Sequence, residues 1–168
     1  KKIFVDNATI TPGKILIANH ASYLDTPLIF RVVPFMARPL AKYELSKIPL
    51  FGYLYKQLTV LVDRKNAKSK AESIRKLKHI LHTGESIFIF PEGTFNETDQ
   101  PMARFYDGAF RLALDTETDL QIILFPDTSE RFNYKSFWNW SPGTNRIIVF
   151  PPFNIQPYLP NNVAQLKK

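Results

Sequence analysis

Short apolar runs alternate along the chain with longer segments in which apolar residues recur every three or four positions. Short runs bounded by turn-forming residues are typical of buried strands, and the longer spacing is typical of amphipathic helices. We predict strands at 14–19, 36–41, 59–62, 86–90, 121–125 and 146–150. Pro39 cannot donate to a sheet, which predicts an edge or irregular position for the second strand. The alternation predicts one α/β domain over residues 1–168.

Residues that begin and end helices mark the helical segments. Asp25, Asn66 and Asp107 are predicted N-caps, because short polar side chains accept hydrogen bonds from the free N–H groups of a first turn. Pro34 is predicted to end the first of these helices, and Gly84 the helix that begins at Asn66.

Two segments are more apolar or more aromatic than the surface of a soluble protein usually is. Residues 44–58 are apolar nearly all round, with Pro49 in the middle, whereas a helix packed on a core has one polar face. Docking into a membrane interface and buried packing both remain open for this segment. Residues 132–140 are rich in Phe, Tyr and Trp, and Trp and Tyr favour the membrane interface. We therefore expect residues 50–55 or 132–140 to contact lipid.

The composition narrows the classes of partner. A net charge of +7 indicates an anionic partner, which could be a phospholipid surface, a nucleic acid or a phosphorylated substrate. The chain has no cysteine, which excludes a disulfide framework and a thiolate nucleophile, and its three scattered histidines argue against a zinc site. No run of 18 apolar residues is present. Because the sequence begins at Lys1 rather than Met, one interpretation is a fragment whose N-terminal membrane anchor lies outside it.

Polar residues with catalytic potential follow three of the predicted strands. His20, Arg64 and Glu92 each stand directly after an apolar run. If those strands are parallel, the three side chains share one edge of the sheet, where α/β folds bind ligands. This edge is the predicted functional site.

Each motif has a catalytic and a plain structural interpretation. His20 and Asp25 could form a base and its orienting carboxylate, or Asp25 could only cap a helix. Ser22 could be a hydrolase nucleophile, although Gly-x-Ser-x-Gly is absent. Arg64 could hold a phosphate or form a surface ion pair. The turn at 92–94 could present N–H groups and a carboxylate to a polar substrate, or be only a turn.

Four sequence blocks occur together in the order found in a known family. They are Asn19-His20-x4-Asp25, the 41–52 block Ala-Lys-x-Glu-Leu-x-x-Ile-Pro-x-Phe-Gly, Val62-Asp63-Arg64 and Phe90-Pro91-Glu92-Gly93-Thr94. From about Lys14 to Pro152 the chain resembles the glycerolipid acyltransferases, and most closely the bacterial lysophosphatidic acid acyltransferases. The resemblance implies a glycerol-phosphate acyltransferase-like fold, with a mixed, largely parallel β-sheet flanked by helices.

The resemblance also implies roles for particular residues. His20 would deprotonate a glycerol hydroxyl and Asp25 would orient it, with direct attack on a fatty-acyl thioester. The acceptor would be lysophosphatidic acid, and the donor substrate acyl-CoA or acyl-carrier protein. No cofactor, metal or nucleic acid is implied. The protein would be peripheral to or anchored in the cell membrane, on the cytoplasmic side, and would contact the membrane surface. Residues implied in binding the acceptor or its phosphate are Arg64, Glu92, Gly93, Thr94 and Lys42.

Two departures from the family pattern leave the acceptor open. Phe95 stands where the family usually has an arginine, and Tyr106 where it commonly has a lysine. A lysolipid with another head group, such as a lyso-aminolipid or a lysophospholipid, is therefore an alternative acceptor. A non-catalytic lipid-binding module is an alternative of another class. Nucleic-acid binding through residues 64–78 would leave the His20 and Glu92 blocks unexplained.

Overall fold

A six-stranded sheet forms the centre of the protein. The computed structural model describes residues 8–49, 51–98, 100–135, 138, 140–160 and 162–167. The strands are ordered β3-β2-β4-β1-β5-β6, and all pair in parallel except β6, which is antiparallel to β5. They are β1 (Ile15–Ala18), β2 (Ala37–Lys42), β3 (Val60–Val62), β4 (Ser86–Ile89), β5 (Leu120–Leu124) and β6 (Ile148–Phe153). The predicted mixed, largely parallel sheet is confirmed.

Helices cover both faces of this sheet. They are α1 (Asp25–Val32), α2 (Phe51–Leu58), α3 (Ala67–His82), α4 (Gly108–Asp115), α5 (Thr128–Arg131) and α6 (Val163–Leu166), with 3₁₀ turns at Tyr43–Lys47 and Gln156–Tyr158. Successive side chains of a strand point to opposite faces. Ile15 and Ile17 of β1 accordingly pack in one apolar cluster with residues of α3 and α4. Leu16 and Ala18 pack in a second cluster with residues of α1. Burial on both faces explains why the strands read as continuous apolar runs.

Of the two positions predicted for β2, the edge is wrong, because β2 lies between β3 and β4, whereas the irregular strand is confirmed by its change of partner. Its first half pairs with β4 as far as Pro39, and its second half pairs with β3 from Leu40 onward. Pro39 therefore stands where the pairing changes from one neighbour to the other. Because Pro39 stands at this junction, its missing N–H does not break the hydrogen-bond ladder of β2 with β4 or that of β2 with β3 in the middle.

Of the three predicted N-caps, one is confirmed. The Asn66 side chain accepts from the Ser69 backbone N–H at 3.1 Å, at the start of α3. Asp107 precedes α4 as expected, but its side chain makes no cap hydrogen bond and instead accepts from Lys167 Nζ at 2.6 Å. Asp25 is the first residue of α1 rather than its cap. Asp107 thus holds the predicted N-cap position without the cap hydrogen bond, and the position predicted for Asp25 is wrong; in both cases another partner engages the carboxylate.

Part of each apolar segment is exposed. Tyr53 is 70% exposed, and Trp138 and Trp140 are 92% and 65% exposed, whereas Phe132 is buried. Phe137, which also belongs to the aromatic segment, lies outside the described residues. Contact of these segments with lipid remains a prediction. Among the helices described, none combines the length and the apolar character that crossing a membrane requires.

An ion pair between buried Asp127 and half-exposed Arg146 holds β6 against the loop that follows β5. Asp127 accepts from Arg146 Nε at 2.8 Å and from the Arg146 backbone N–H at 2.8 Å. The hydrogen bond from the Arg146 side chain lowers the pKa of Asp127 to about 2 from its ordinary 3.8, against the opposing effect of burial. This pair fixes the start of β6 beside the sheet edge that carries the candidate site.

We predict that Asp127→Asn destabilises the fold by about 1 kcal/mol at pH 7, because the Arg146 guanidinium is half-exposed and partly screened. The folded pKa is depressed, so this stabilisation is full above pH 3.8 and is lost as the pH falls toward 2. Urea unfolding between pH 7 and pH 2 measures the difference, which should vanish in acid. Asp115→Asn, at an exposed ion pair with Lys78, is the control. An equal effect in the control would contradict the prediction.

Candidate active site

Three strands bring the predicted functional residues to one edge of the sheet. Because β1, β3 and β4 are parallel, the residues that follow them meet at their carboxyl ends. The His20 backbone N–H donates to Glu92 Oε1 at 2.7 Å, and Arg64 Nη1 donates to the Gly93 carbonyl oxygen. The predicted grouping of His20, Arg64 and Glu92 is confirmed.

A buried carboxylate orients the imidazole of His20. Asp25 is fully buried, and its Oδ2 lies 3.0 Å from His20 Nδ1. The same oxygen accepts from the backbone N–H groups of Ala21 at 2.7 Å and Ser22 at 2.8 Å. With Oδ2 as the acceptor, Nδ1 carries the hydrogen, which leaves Nε2 as the basic nitrogen.

Two phenylalanine rings enclose this imidazole. Phe90 stacks on it, with ring centroids 3.8 Å apart and planes 12° apart. Phe95 covers it at 4.3 Å with a 39° tilt, and Tyr134 stacks on Phe95 at 5.4 Å. The ring of His20 is therefore restrained on its faces as well as at Nδ1. The sequence identifies Phe95 only as a departure from a family pattern, since the ring contacts depend on how the 92–102 loop folds.

Glu92 joins two loops of the site through backbone hydrogen bonds. Its side chain is enclosed, with the residue 2% exposed, and Oε1 and Oε2 accept from the N–H groups of His20 at 2.7 Å and Ala103 at 2.8 Å. Burial raises the pKa of Glu92, while these two hydrogen bonds oppose the rise. Because both oxygens are engaged with the backbone, the geometry favours a positioning role for Glu92 over direct contact with an acceptor.

The other residues implied in acceptor binding lie toward β3. Arg64 and Gly93 are in contact, as described above, and Thr94 is exposed. Lys42 ends β2, with its exposed Nζ 3.8 Å from the Glu44 carboxylate. The structure places these residues along the same sheet edge, and their roles in binding remain predictions.

The contacts of Asn19 and Ser22 further define the site. The Asn19 side chain pairs with the Phe125 backbone in both directions, at 2.8 and 3.1 Å, and so fixes the end of β1 against the end of β5. Sequence reasoning did not find this pairing. Ser22 is fully buried, and its hydroxyl donates to the Phe132 carbonyl oxygen, so it is not placed to act as a nucleophile.

Among the described residues, no group of three or more His, Asp or Glu side chains is arranged to hold a metal ion.

Comparison with known proteins identifies the family. The family model described as Acyltransferase matches residues 2–157. The chain belongs to the Acyltransferase family. The matched range includes His20, Asp25, Arg64 and the loop at 92–94.

Several relatives and one solved structure carry related names. The chain is 27% identical over 158 residues to 1-acyl-sn-glycerol-3-phosphate acyltransferase alpha of Mus musculus, with 93% of this chain and 55% of the relative covered. It is 33% identical over 138 residues to the 1-acyl-sn-glycerol-3-phosphate acyltransferase of Borreliella burgdorferi, with 78% and 54% covered. For the Escherichia coli enzyme of that name the identity is 29% over 155 residues, with 90% and 61% covered.

The crystal structure of the 1-acyl-sn-glycerophosphate (LPA) acyltransferase PlsC from Thermotoga maritima shares this acyltransferase fold. It superposes with a TM-score of 0.73 at 25% identity, over 99% of this chain and 69% of that chain. The chain spans about half the length of the curated relatives it matches. The family and the fold are thus established for the part of the relatives that this chain covers.

Gly93 is predicted to be intolerant of a side chain. Its φ is +72°, and an added Cβ would lie 2.9 Å from Arg64 Nη1 and 3.1 Å from the Tyr106 ring. Gly84 has a similar φ of +81°, but a Cβ there meets nothing within 4 Å. Both alanine variants should lose about 1–2 kcal/mol through backbone strain. We expect Gly93→Ala to lose slightly more than Gly84→Ala in chemical denaturation, because the end of the Arg64 side chain and the exposed Tyr106 ring must shift. Equal losses would show that Gly93 has no close neighbours.

Proposed function

We propose that this protein is an O-acyltransferase that transfers a fatty acyl group from a thioester to the free hydroxyl of lysophosphatidic acid, in phospholipid biosynthesis. The observation that carries the proposal is the His20 imidazole, oriented by buried Asp25, on the sheet edge that also carries Arg64. The names of the relatives support the choice of reaction and of acceptor.

The proposed reaction is a direct transfer. As the acceptor hydroxyl oxygen attacks the thioester carbonyl carbon, His20 Nε2 takes the hydroxyl proton. The new carbon–oxygen bond forms, the carbon–sulfur bond breaks, and the imidazolium returns the proton to the departing thiolate. The carboxylate of Asp25, 3.0 Å from Nδ1, stabilises the imidazolium in between. A positioned base of this kind contributes typically a factor of about 10²–10⁴.

Transfer without an acyl-enzyme fits the residues present. The chain has no cysteine, and the Ser22 hydroxyl beside His20 is buried and donates to a backbone carbonyl. Catalysis then depends on a base and on holding the two substrates together. The donor, acyl-CoA or acyl-carrier protein, is a substrate, and we propose no cofactor.

Arg64 is the proposed ligand of the acceptor phosphate. Its guanidinium reaches across from the end of β3 to the loop after β4, where Nη1 contacts the Gly93 carbonyl oxygen. A guanidinium held at this loop has further N–H groups to donate, and guanidinium–phosphate hydrogen bonds are among the strong ones. Lys42, at the end of the adjacent strand β2, adds positive charge on the same side.

A second acceptor class is favoured by one observation. The Phe95 ring lies 4.3 Å from the His20 ring, so the residue that replaces the expected cation stands directly beside the proposed base. The exposed Tyr106 ring similarly lies beside Gly93. An aromatic surface here suits a lysolipid whose head group is not a phosphomonoester. The second candidate is therefore acyl transfer to a lyso-aminolipid or another lysophospholipid.

The membrane surface is the proposed place of action, on the cytoplasmic side. Tyr43, Ile48 and Tyr53, which follow the carboxyl end of β2, are exposed, and so are Trp138 and Trp140. Exposed aromatic groups together with a net charge of +7 suit an interface of anionic lipid. This contact would hold the sheet edge close to a lipid acceptor.

Removing the base should separate catalysis from lipid binding. We expect His20→Ala to lower acyl transfer by about 10²–10⁴-fold and to leave sedimentation with anionic vesicles unchanged. Asp25→Asn should lower acyl transfer by a similar factor. It should destabilise the fold by no more than about 1–3 kcal/mol, because Asp25 Oδ1 has no hydrogen-bond partner among the described residues and the new amide nitrogen can occupy the position of Oδ1. Transfer is measured with radiolabelled acyl-CoA. Wild-type protein that binds vesicles but transfers nothing would favour the lipid-binding module.

Restoring a cation beside His20 should change the choice of acceptor. If Phe95 excludes a phosphomonoester, Phe95→Arg should raise kcat/KM for lysophosphatidic acid relative to a lyso-aminolipid by about tenfold, since a charge-assisted hydrogen bond contributes about 1.5–3 kcal/mol. The control is Phe153→Arg, in β6 at the opposite edge of the sheet, where Phe153 pairs with Leu120. A wild-type protein that strongly prefers lysophosphatidic acid would eliminate the second candidate.

A further inference from the structure

A cavity of about 390 Å³ lies at the amino ends of β2, β3 and β4, whereas His20 lies at the carboxyl edge of the sheet. Arg38 lines it from the start of β2, Thr59 and Val60 from the start of β3, and Glu85 from the position before β4. The last turns of α2 and α3 supply most of the remaining lining. The size of the cavity falls within the range of small-molecule sites in proteins.

Cations from three different elements meet in this cavity. Arg38 belongs to β2, Lys56 to α2 and Lys76 to α3. The carboxylate in the described lining is that of Glu85, and it is already engaged, because Arg38 Nε donates to Glu85 Oε2 at 3.0 Å. Within the part of the chain that the structure describes, Lys56 and Lys76 form no ion pair. The cavity therefore carries positive charge that its own carboxylate does not compensate.

The negative end of α3 does not offset this charge. Free carbonyl groups at a helix C-terminus repel anions, with a strength of about half an elementary charge. Here the His79 carbonyl oxygen accepts from the Thr83 backbone N–H at 3.1 Å. The Ile80 carbonyl oxygen accepts from the Thr83 hydroxyl at 2.7 Å and from the Glu85 backbone N–H at 3.2 Å. These carbonyl groups are engaged within the protein, so the full charges of the side chains determine what the cavity attracts.

We propose that this cavity binds a small soluble molecule that carries phosphate groups. Arg38, Lys56 and Lys76 bind the phosphate oxygens through charge-assisted hydrogen bonds. Apolar side chains of β3 and α3, which also line the cavity, contact the organic part of the ligand. A phosphate held by both lysines joins α2 to α3. This site is separate from the His20 edge, so its existence does not depend on the proposed acyl transfer.

The position of the cavity favours a soluble ligand over a lipid head group. Tyr43 and Ile48, among the exposed residues proposed to meet the membrane, follow the carboxyl end of β2. The cavity lies at the other end of this strand, which has six residues and is about 20 Å long. That length exceeds the electrostatic screening length of about 8 Å at physiological salt. A membrane at the carboxyl edge therefore leaves the charge of the cavity free to bind a ligand from solution.

Neutralising the two lysines tests the site, with inorganic pyrophosphate as the probe in titration calorimetry at low ionic strength. We expect Lys56→Gln/Lys76→Gln to weaken pyrophosphate binding by about tenfold or more, because two charge-assisted contacts are lost. The matched control is Lys68→Gln/Lys70→Gln, which removes the same charge from exposed residues of α3 outside the lining. An equal loss in the control, or absence of binding to the unaltered protein, overturns the proposal.

The three histidines of the chain locate the bound anion. His79 lines the cavity, His82 lies further along α3 outside the lining, and His20 lies at the opposite edge of the sheet. Pyrophosphate should move the imidazole NMR signals of His79 in the unaltered protein and leave those of His20 in place. Signals of His79 that do not move, or movement of the His20 signals alone, which would place the anion on the Arg64 side, overturn the proposal.

Vesicles distinguish a soluble ligand from a lipid head group. Sedimentation with vesicles of phosphatidylcholine and phosphatidic acid should be reduced no more in Lys56→Gln/Lys76→Gln than in Lys68→Gln/Lys70→Gln. A loss confined to the first variant would place a lipid phosphate in the cavity and overturn the proposal of a soluble ligand. All four lysines are exposed, so the variants should fold, and thermal unfolding checks this.

Discussion

One buried carboxylate oxygen organises the turn on which the proposed chemistry depends. Asp25 Oδ2 accepts from two successive backbone N–H groups and from His20 Nδ1, so the same atom shapes the turn and orients the ring. A charge withdrawn from water is tolerated only where hydrogen bonds replace its hydration. Stabilisation of the turn and orientation of the base are therefore inseparable at this residue. This also explains why Asp25 does not cap α1, since its acceptor capacity is used within the preceding turn.

A second carboxylate, that of Glu92, joins the loops along this edge of the sheet. Glu92 bonds the backbone of His20 and of Ala103, so the loops after β1 and β4 cannot move independently. Burial raises the pKa of Glu92, and the two backbone hydrogen bonds offset only part of the cost of desolvating its carboxylate. Arg64 then joins the end of β3 to the same loop through Gly93. Carboxylates that bond to the backbone thus hold in place the groups proposed to contact substrate.

Around this frame the two sides of His20 differ in chemistry. Toward β3 the surface carries Arg64 and Lys42, which suit a phosphate. Toward β5 it carries a neutral cavity with Lys135. Phe95 lies on the imidazole itself and, together with Phe90, restrains the ring of the proposed base. The two surfaces beside His20 therefore differ in charge, and the proposed base lies between them.

Much of the architecture is determined by local pattern in the sequence. Continuous apolar runs predict the buried strands, and parallel strands necessarily bring the residues after β1, β3 and β4 to one edge. The pairing of His20 with Asp25 is also readable, because it is contained in a single turn. Tertiary structure alone decided the central place of β2, the engagement of Asp107 by Lys167, the backbone contacts of Glu92 and the position of Phe95 on His20. These contacts join residues that are distant in sequence or lie in irregular loops. Their geometry follows from packing of the whole chain, which no local periodicity specifies.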